Sequence, residues 1–223
     1  MAADKTLRVT GVGMVSLKPD MTRLSITVTG TYKEYADTLK HSSDDTRALR
    51  ETLEPLGFTG DMLRTTSFSV DPRYEGYNDK NGNYRQRFMG YEFRHSLLLE
   101  FMSDNDLLGK TLYALAHSPV TPEFGISYTV KDREQAKNKL IANAVKDAMH
   151  KAEVLAEAAE VSLGFITSID YSVCDAVFEV RPMYGRSMKA CMNEAADCGS
   201  YDMDIEPEDI RVTDTVTVVW EIV

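Results

Sequence analysis

The chain has 223 residues, with 25 Lys and Arg against 35 Asp and Glu and a net charge of −10. Its length suits one large domain or two small ones, and 43% hydrophobic and 27% charged residues are ordinary for a globular protein. There is no basic block, which argues against nucleic-acid and anionic-membrane partners, and no apolar run reaches the roughly 18 residues of a membrane-spanning helix.

In chain order, Leu7 to Val15 reads as a strand interrupted by Gly11 and Gly13. Lys18-Pro19-Asp20 makes a turn. Leu24, Ile26 and Val28 alternate with polar residues, the period of a half-buried strand that Gly30 ends. Between Tyr32 and Leu56 the spacing of Tyr35, Leu39, Thr46, Leu49, Leu53 and Leu56 becomes helical, with Gly57 as the C-cap. Thr65 to Tyr74 is a strand, and Asn81-Gly82 reverses it into a return strand. That strand carries Tyr91, Phe93, His95, Leu97, Leu99 and Phe101 on one parity.

Ser103 or Asp104 caps a second helix with Leu107, Leu108, Leu112 and Leu115 on its apolar face, and Ser118-Pro119 stops it. Ile126, Tyr128 and Val130 form a further strand. The longest helix spans about Asp132 to Val161. Ala136, Leu140, Ala144, Ala148, Ala152 and Ala156 recur along it, a small-residue stripe that lets the axis lie close to its neighbour. Ile141, Val145, Met149 and Leu155 widen the stripe. Phe165, Thr167, Ile169, Tyr171 and Val173 alternate as another strand, and Val212, Val216, Val218, Trp220 and Ile222 as the last.

The order β-β-α-β-β-α-β-α-β-loop-β predicts an α+β fold: a mostly antiparallel sheet with three helices packed on it. First and last strands bracket the chain, which favours one domain over residues 1–223. Residues 175–209 read as an acidic Cys/Met-containing insertion loop before the last strand. Residues 190–209 alone hold seven acidic residues and no Lys or Arg, so the rest of the chain is close to neutral.

No arrangement of residues announces catalysis. Gly11-x-Gly13 lacks the third glycine and the following helix of a dinucleotide fingerprint, and reads as a bulge or a close backbone contact. His41, His95, His117 and His150 form no metal-binding pair, and His95 reads as a satisfied residue at the core edge. There is no nucleophile elbow and no P-loop. Asp202-x-Asp204-x-Glu206 resembles the start of a calcium loop, but Pro207 stands where the sharp-turn glycine belongs. Cys191, Cys198, Met188 and Met192 form the one candidate soft-metal or redox set, at a spacing that matches no zinc motif. No cofactor is expected.

Tyr74, Tyr77, Tyr84 and Phe88, interleaved with Arg73, Arg85 and Arg87, cluster at the hairpin tip. Tyrosine and arginine are enriched at interfaces, and a long hairpin seldom stays ordered alone, so these residues form the candidate interface. The N-terminus is polar by Asp4, and the three cysteines, Cys174, Cys191 and Cys198, are odd in number and late. The expected location is cytoplasmic, or periplasmic or envelope if a signal was trimmed.

The order of several short motifs resembles the SIMPL-domain family. Val9-x-Gly11-x-Gly13 and Lys18-Pro19-Asp20 open it. Leu56-Gly57, Asp61-Met62-Leu63-Arg64-Thr65, Asp71-Pro72-x-Tyr74 and Gly90-Tyr91 follow. Asn143-Ala-Val-x-Asp147-Ala148-x-x-Lys151, Leu163-Gly164 and Ile205-x-Pro207-x-x-Ile210 complete it. The resemblance covers nearly all of the chain except about residues 175–204. It implies an α+β fold and no established enzyme activity. Its members include periplasmic proteins tied to oxidative-stress tolerance, immunogenic envelope proteins that assemble into rings, and a kinase-binding signalling adaptor. The expectation is a non-enzymatic, self-associating protein with an accessory stress or protein-interaction role. The alternative is a soft-metal or redox-responsive binder acting through the Cys/Met loop.

Overall fold

A computed structural model describes residues 5–171, 177–181 and 205–223. In chain order the elements are β1 (Thr6–Leu17), β2 (Met21–Tyr32), α1 (Tyr35–Leu53), a one-turn 3-10 helix (Glu54–Leu56), β3 (Arg64–Asn78), β4 (Tyr84–Met102), α2 (Asn105–Ala116), β5 (Glu123–Thr129), α3 (Arg133–Ala158), β6 (Leu163–Asp170), β7 (Glu179–Val180) and β8 (Ile210–Ile222). The α+β order is as expected, with β7 added inside the segment read as loop. The strands form two sheets rather than one, because β1 takes the distant β8 as its partner and leaves β2 to pair with β4. The chain clusters into two compact units, one holding β1, α3, β6, β7 and β8, the other β2, α1, β3, β4, α2 and β5.

In the first unit β8 lies between β1 and β6, antiparallel to both. β1 pairs with β8 from Thr6↔Glu221 to Leu17↔Ile210 without a break, so Gly11 and Gly13 create no bulge. They serve close approach instead. A Cβ on Gly11 would lie 2.0 Å from the Ala144 carbonyl oxygen, and one on Gly13 would lie 2.1 Å from that of Leu140. The α3 stripe from Ala136 to Ala156 is buried against Val9, Val216, Val218 and Trp220 at one end and Val15, Ile210 and Val212 at the other. Met149 and Leu155 are 45% and 48% exposed, each standing one residue, about 100° of helix rotation, from that buried column.

The free edge of β1 is closed by α3 side chains spaced four residues apart. Asn143 donates to the Met14 carbonyl at 3.0 Å, the Val12 N–H donates to Asp147 at 2.6 Å, and Lys151 reaches the Thr10 carbonyl at 3.5 Å. Lys151 and the Val12 N–H hold the Asp147 carboxyl below the usual range. β6, the other edge, departs from expectation. Phe165 is 85% and Ile169 54% exposed, because register shifts on either side of Ile166 break the alternation read from the sequence.

In the second unit the strands lie in the order β3-β4-β2-β5. β2 runs through Gly30 to Tyr32, pairing with β4 from Met21↔Met102 to Tyr32↔Tyr91. Leu24, Ile26 and Val28 of β2 and Phe93, Leu97, Leu99 and Phe101 of β4 are buried as the alternation predicts. The buried face of α1 is Thr38, Ser42, Thr46, Leu49 and Leu53, so Tyr35 and Leu39 stand off it. Of the positions read as the helical face, Thr46, Leu49 and Leu53 are buried, small hydroxyl residues take the contact in the first two turns, and Leu56 falls in the 3-10 turn, half-buried. Gly57 ends the 3-10 turn with φ 90°, the left-handed conformation expected of a capping glycine. Asp104 caps α2 by accepting from the Leu107 N–H at 3.0 Å, and Leu108, Leu112 and Leu115 are buried.

Candidate functional site

The β3–β4 hairpin outruns its sheet. β2 stops at Tyr32, opposite Tyr91, and beyond that point β3 and β4 continue as a two-stranded ribbon for roughly 25 Å at about 3.3 Å per residue. Its tip is set by Gly82, with φ 78°, and by Asp79, which accepts from the Asn81 and Asn83 N–H groups, each at 2.9 Å. Hydrogen bonds from Asn83 and then Arg85 hold the Asp79 carboxyl below its usual range. At the base, Gly90 has φ 134°, and a Cβ there would lie 2.2 Å from the Tyr32 carbonyl oxygen, so the strand leaves the sheet at a position only glycine fits.

Register divides the ribbon into two unlike faces. Pro72↔Tyr91, Tyr74↔Phe88, Gly76↔Gln86 and Asn78↔Tyr84 share one face. This is the face that Phe93 presents to the core one step further in. Its aromatic rings form a column: Tyr35 to Tyr91 at 5.4 Å between centroids, Tyr91 to Phe88 at 5.3 Å, and Phe88 to Tyr74 at 5.6 Å. The Tyr84 ring lies across Gly76, where a Cβ would sit 2.8 Å from its Cε2. Exposure climbs outward, from 0% at Phe93 to 45% at Phe88, 55% at Tyr74 and 70% at Tyr84. The core face of the sheet therefore continues past its helical cover.

The opposite face carries cross-strand ion pairs: Arg73 to Glu92 at 2.8 Å, Arg87 to Glu75 at 3.0 Å and Arg85 to Asp79 at 3.0 Å. Tyr77, 47% exposed, stands among them opposite Arg85. All seven residues singled out in the sequence thus lie on the ribbon, divided between two faces. Tyr35, Tyr91 and Glu92 complete the arrangement, and Tyr35 belongs to it only because α1 begins beside Tyr91. Such exposed pairs stabilise little in water, but each places opposite charges across the ribbon, so none of the three arginines stands as a free charge.

Elsewhere, three of the four histidines have local partners. His41 stacks flat on Tyr32 with centroids 4.1 Å apart. His117 Nδ1 lies 2.8 Å from the Tyr113 carbonyl, and His150 is exposed on α3. His95 is half-buried between two threonine hydroxyls, 3.0 Å from Thr46 and 2.9 Å from Thr65. Burial, and then the charge of Arg50, push its pKa down. Among the described residues no three His, Cys, Asp or Glu side chains are grouped to hold a metal. Cys174, Cys191, Cys198, Met188 and Met192 lie outside the described residues, as do Asp202 and Asp204 of the acidic run. No described helix is long and apolar enough to cross a membrane.

A family model matches residues 7–220, nearly the whole chain, and its description is SIMPL, a protein of unknown function (DUF541). The chain belongs to the SIMPL family. It is similar to the 26 kDa periplasmic immunogenic protein of Brucella melitensis biotype 1, at 25% identity over 163 residues. The protein of the same name from Brucella abortus (strain S19) matches at the same identity. Each match covers 73% of this chain and 65% of the relative, so the chain spans under two thirds of those proteins' length. Both relatives are periplasmic by name. That overturns the cytoplasmic location expected from the polar N-terminus, a feature that carries no information on compartment unless the whole precursor is in view.

Proposed function

We propose that this chain is a non-enzymatic periplasmic protein that self-associates through the aromatic face of its β3–β4 ribbon, in an accessory stress-response or protein-interaction role. The observation that carries the reading is the continuation of the core face past its helical cover, with rings progressively bared from Phe93 to Tyr84. A two-stranded hairpin is marginal alone in water and gains stability by packing. At 150–250 Å² per aromatic side chain, Tyr74, Tyr84 and Phe88 expose on the order of 300 Å². That is a good part of the roughly 800 Å² each partner buries in a standard interface, and fits a central anchor with a polar rim. The periplasmic assignment is supported by the names of the two relatives, and the non-enzymatic reading by the local partners of His41, His95 and His117. We also propose one cooperative domain over residues 1–223, which calorimetry tests as a single transition.

Light scattering behind size exclusion, over a hundredfold concentration range, tests the association. The reading expects the wild type at a multiple of 25.0 kDa and Tyr74→Ser/Phe88→Ser at 25.0 kDa with an unchanged far-ultraviolet spectrum. A wild type that stays at 25.0 kDa throughout, or a folded double variant that still associates, overturns it.

A further inference from the structure

One flank of α1 faces the base of the hairpin across a groove of 470 Å³, within the size range of small-molecule sites. Arg47, Arg50 and Leu39 line it from the helix, Thr65 and Phe68 from β3, and His95 from β4. The lining includes two guanidinium groups and no carboxylate, in a chain whose acidic residues outnumber its basic ones by ten. Arg47 is held by Asp44 at 2.9 Å. Among the described residues Arg50 makes no ion pair, so its five N–H donors stand beside the groove without an anionic partner.

The floor is fixed by a hydrogen-bond chain whose direction can be assigned. The Thr46 hydroxyl donates its only proton to the Ser42 carbonyl at 2.8 Å. Its oxygen must therefore accept from His95 Nδ1, 3.0 Å away. In the neutral ring Nε2 is then the acceptor, and it takes the Thr65 hydroxyl proton at 2.9 Å. His95 is accordingly a positioning residue that locks Thr65, with neither nitrogen left to do chemistry. Phe68 packs edge-on against its ring at 5.1 Å. The other side of Phe68 is open, with 46% of the residue exposed, and Leu39 opposite is 39% exposed. The groove thus combines a planar cationic fork, an ordered hydroxyl floor and two bare apolar walls.

We propose that this groove binds a small organic carboxylate, its head held by the Arg50 fork with Arg47 beside it, and its flat apolar body lying between Phe68 and Leu39. A planar guanidinium meets a carboxylate through two parallel N–H···O bonds, and the apolar walls reward a body that a bare oxyanion lacks. The proposal does not rest on self-association, since none of these residues is in the aromatic column of the ribbon.

The test is a titration of the full chain with sodium benzoate, followed by nuclear magnetic resonance at Phe68 and His95. Acetate supplies the head alone, benzyl alcohol the body alone, and inorganic phosphate a different oxyanion. Saturable shifts with benzoate are expected, with each comparator at least about tenfold weaker. Arg50→Gln, at an exposed position, is expected to weaken benzoate by roughly ten- to a hundredfold while the chemical shifts away from the groove stay as in the wild type. Shifts that never saturate, binding unaltered in Arg50→Gln, or acetate, phosphate or benzyl alcohol binding as tightly as benzoate would each overturn the proposal.

Discussion

Gly11→Ala probes the close approach of β1 to α3. The added Cβ would stand 2.0 Å from the Ala144 carbonyl oxygen and 2.4 Å from the Ala148 nitrogen, where ordinary contact begins at 3.4 Å. The shortfall is 3.4 − 2.0 = 1.4 Å against helix backbone, which has no rotamer to turn aside. β1 or α3 must therefore withdraw by about 1 Å, and a gap of that size already forfeits a quarter to a half of each dispersion contact it opens. The column affected runs through Leu140, Ala144, Ala148 and Ala152, all at 0% exposure. Overpacking costs about 1–3 kcal/mol, and rigid backbone on both sides places this case at the upper end. Alanine's advantage over glycine in a strand returns roughly 0.5–1 kcal/mol, leaving a net loss near 2 kcal/mol. For a chain of this size that lowers the melting temperature by roughly 4–8 °C, measurable by circular dichroism. Gly60→Ala is the control: its Cβ would meet nothing nearer than Arg50 Cδ at 3.9 Å, and its melting temperature is expected to stay within about 1 °C of wild type. A Gly11→Ala protein melting as the wild type does would refute the close-packing argument.

Two further outcomes follow from the second unit. Gly90→Ala places a side chain at φ 134° and 2.2 Å from the Tyr32 carbonyl oxygen, so it is expected to destabilise by more than about 2 kcal/mol in urea unfolding. His95 has a folded pKa below its unfolded value near 6.5, so the unfolded chain takes up the proton first as pH falls. Its contribution is intact above about pH 6.5, declines as pH drops through that value, and levels off below the folded pKa. Urea midpoints between about pH 7 and 5 are expected to fall less steeply for His95→Gln than for wild type, and parallel curves would remove the assignment.

The legible part of this fold was the part written in local periodicity. Alternation located the buried residues of β2, β4 and β8, and the four-residue recurrence on α3 named all six of its buried positions. The errors fell where long-range pairing outweighs local pattern. β6 read as a regularly alternating strand, but its register against β8 is broken on either side of Ile166, and Phe165 and Ile169 are exposed. α1 read as if Tyr35 and Leu39 were its contact, whereas Thr38 and Ser42 are buried there and Tyr35 serves the ribbon column. The candidate interface was recognisable as a cluster, but not as two faces. Pairing Arg73 with Glu92 or Arg87 with Glu75 requires the hairpin register, including the irregularity between Arg73 and Tyr74. The His95 groove left no local signal, because its lining comes from α1, β3 and β4, up to 56 positions apart in sequence between Leu39 and His95.

Photo-crosslinking tests the aromatic ribbon face as the self-association surface most directly. p-Benzoylphenylalanine placed at Tyr84 or Phe88 reports from the aromatic face, and at Arg87 from the ion-paired face of the same ribbon. The account predicts a covalent adduct of twice the 25.0 kDa chain mass from Tyr84 and Phe88, with little or none from Arg87. No adduct from either aromatic position, or an adduct from Arg87 alone, would contradict it.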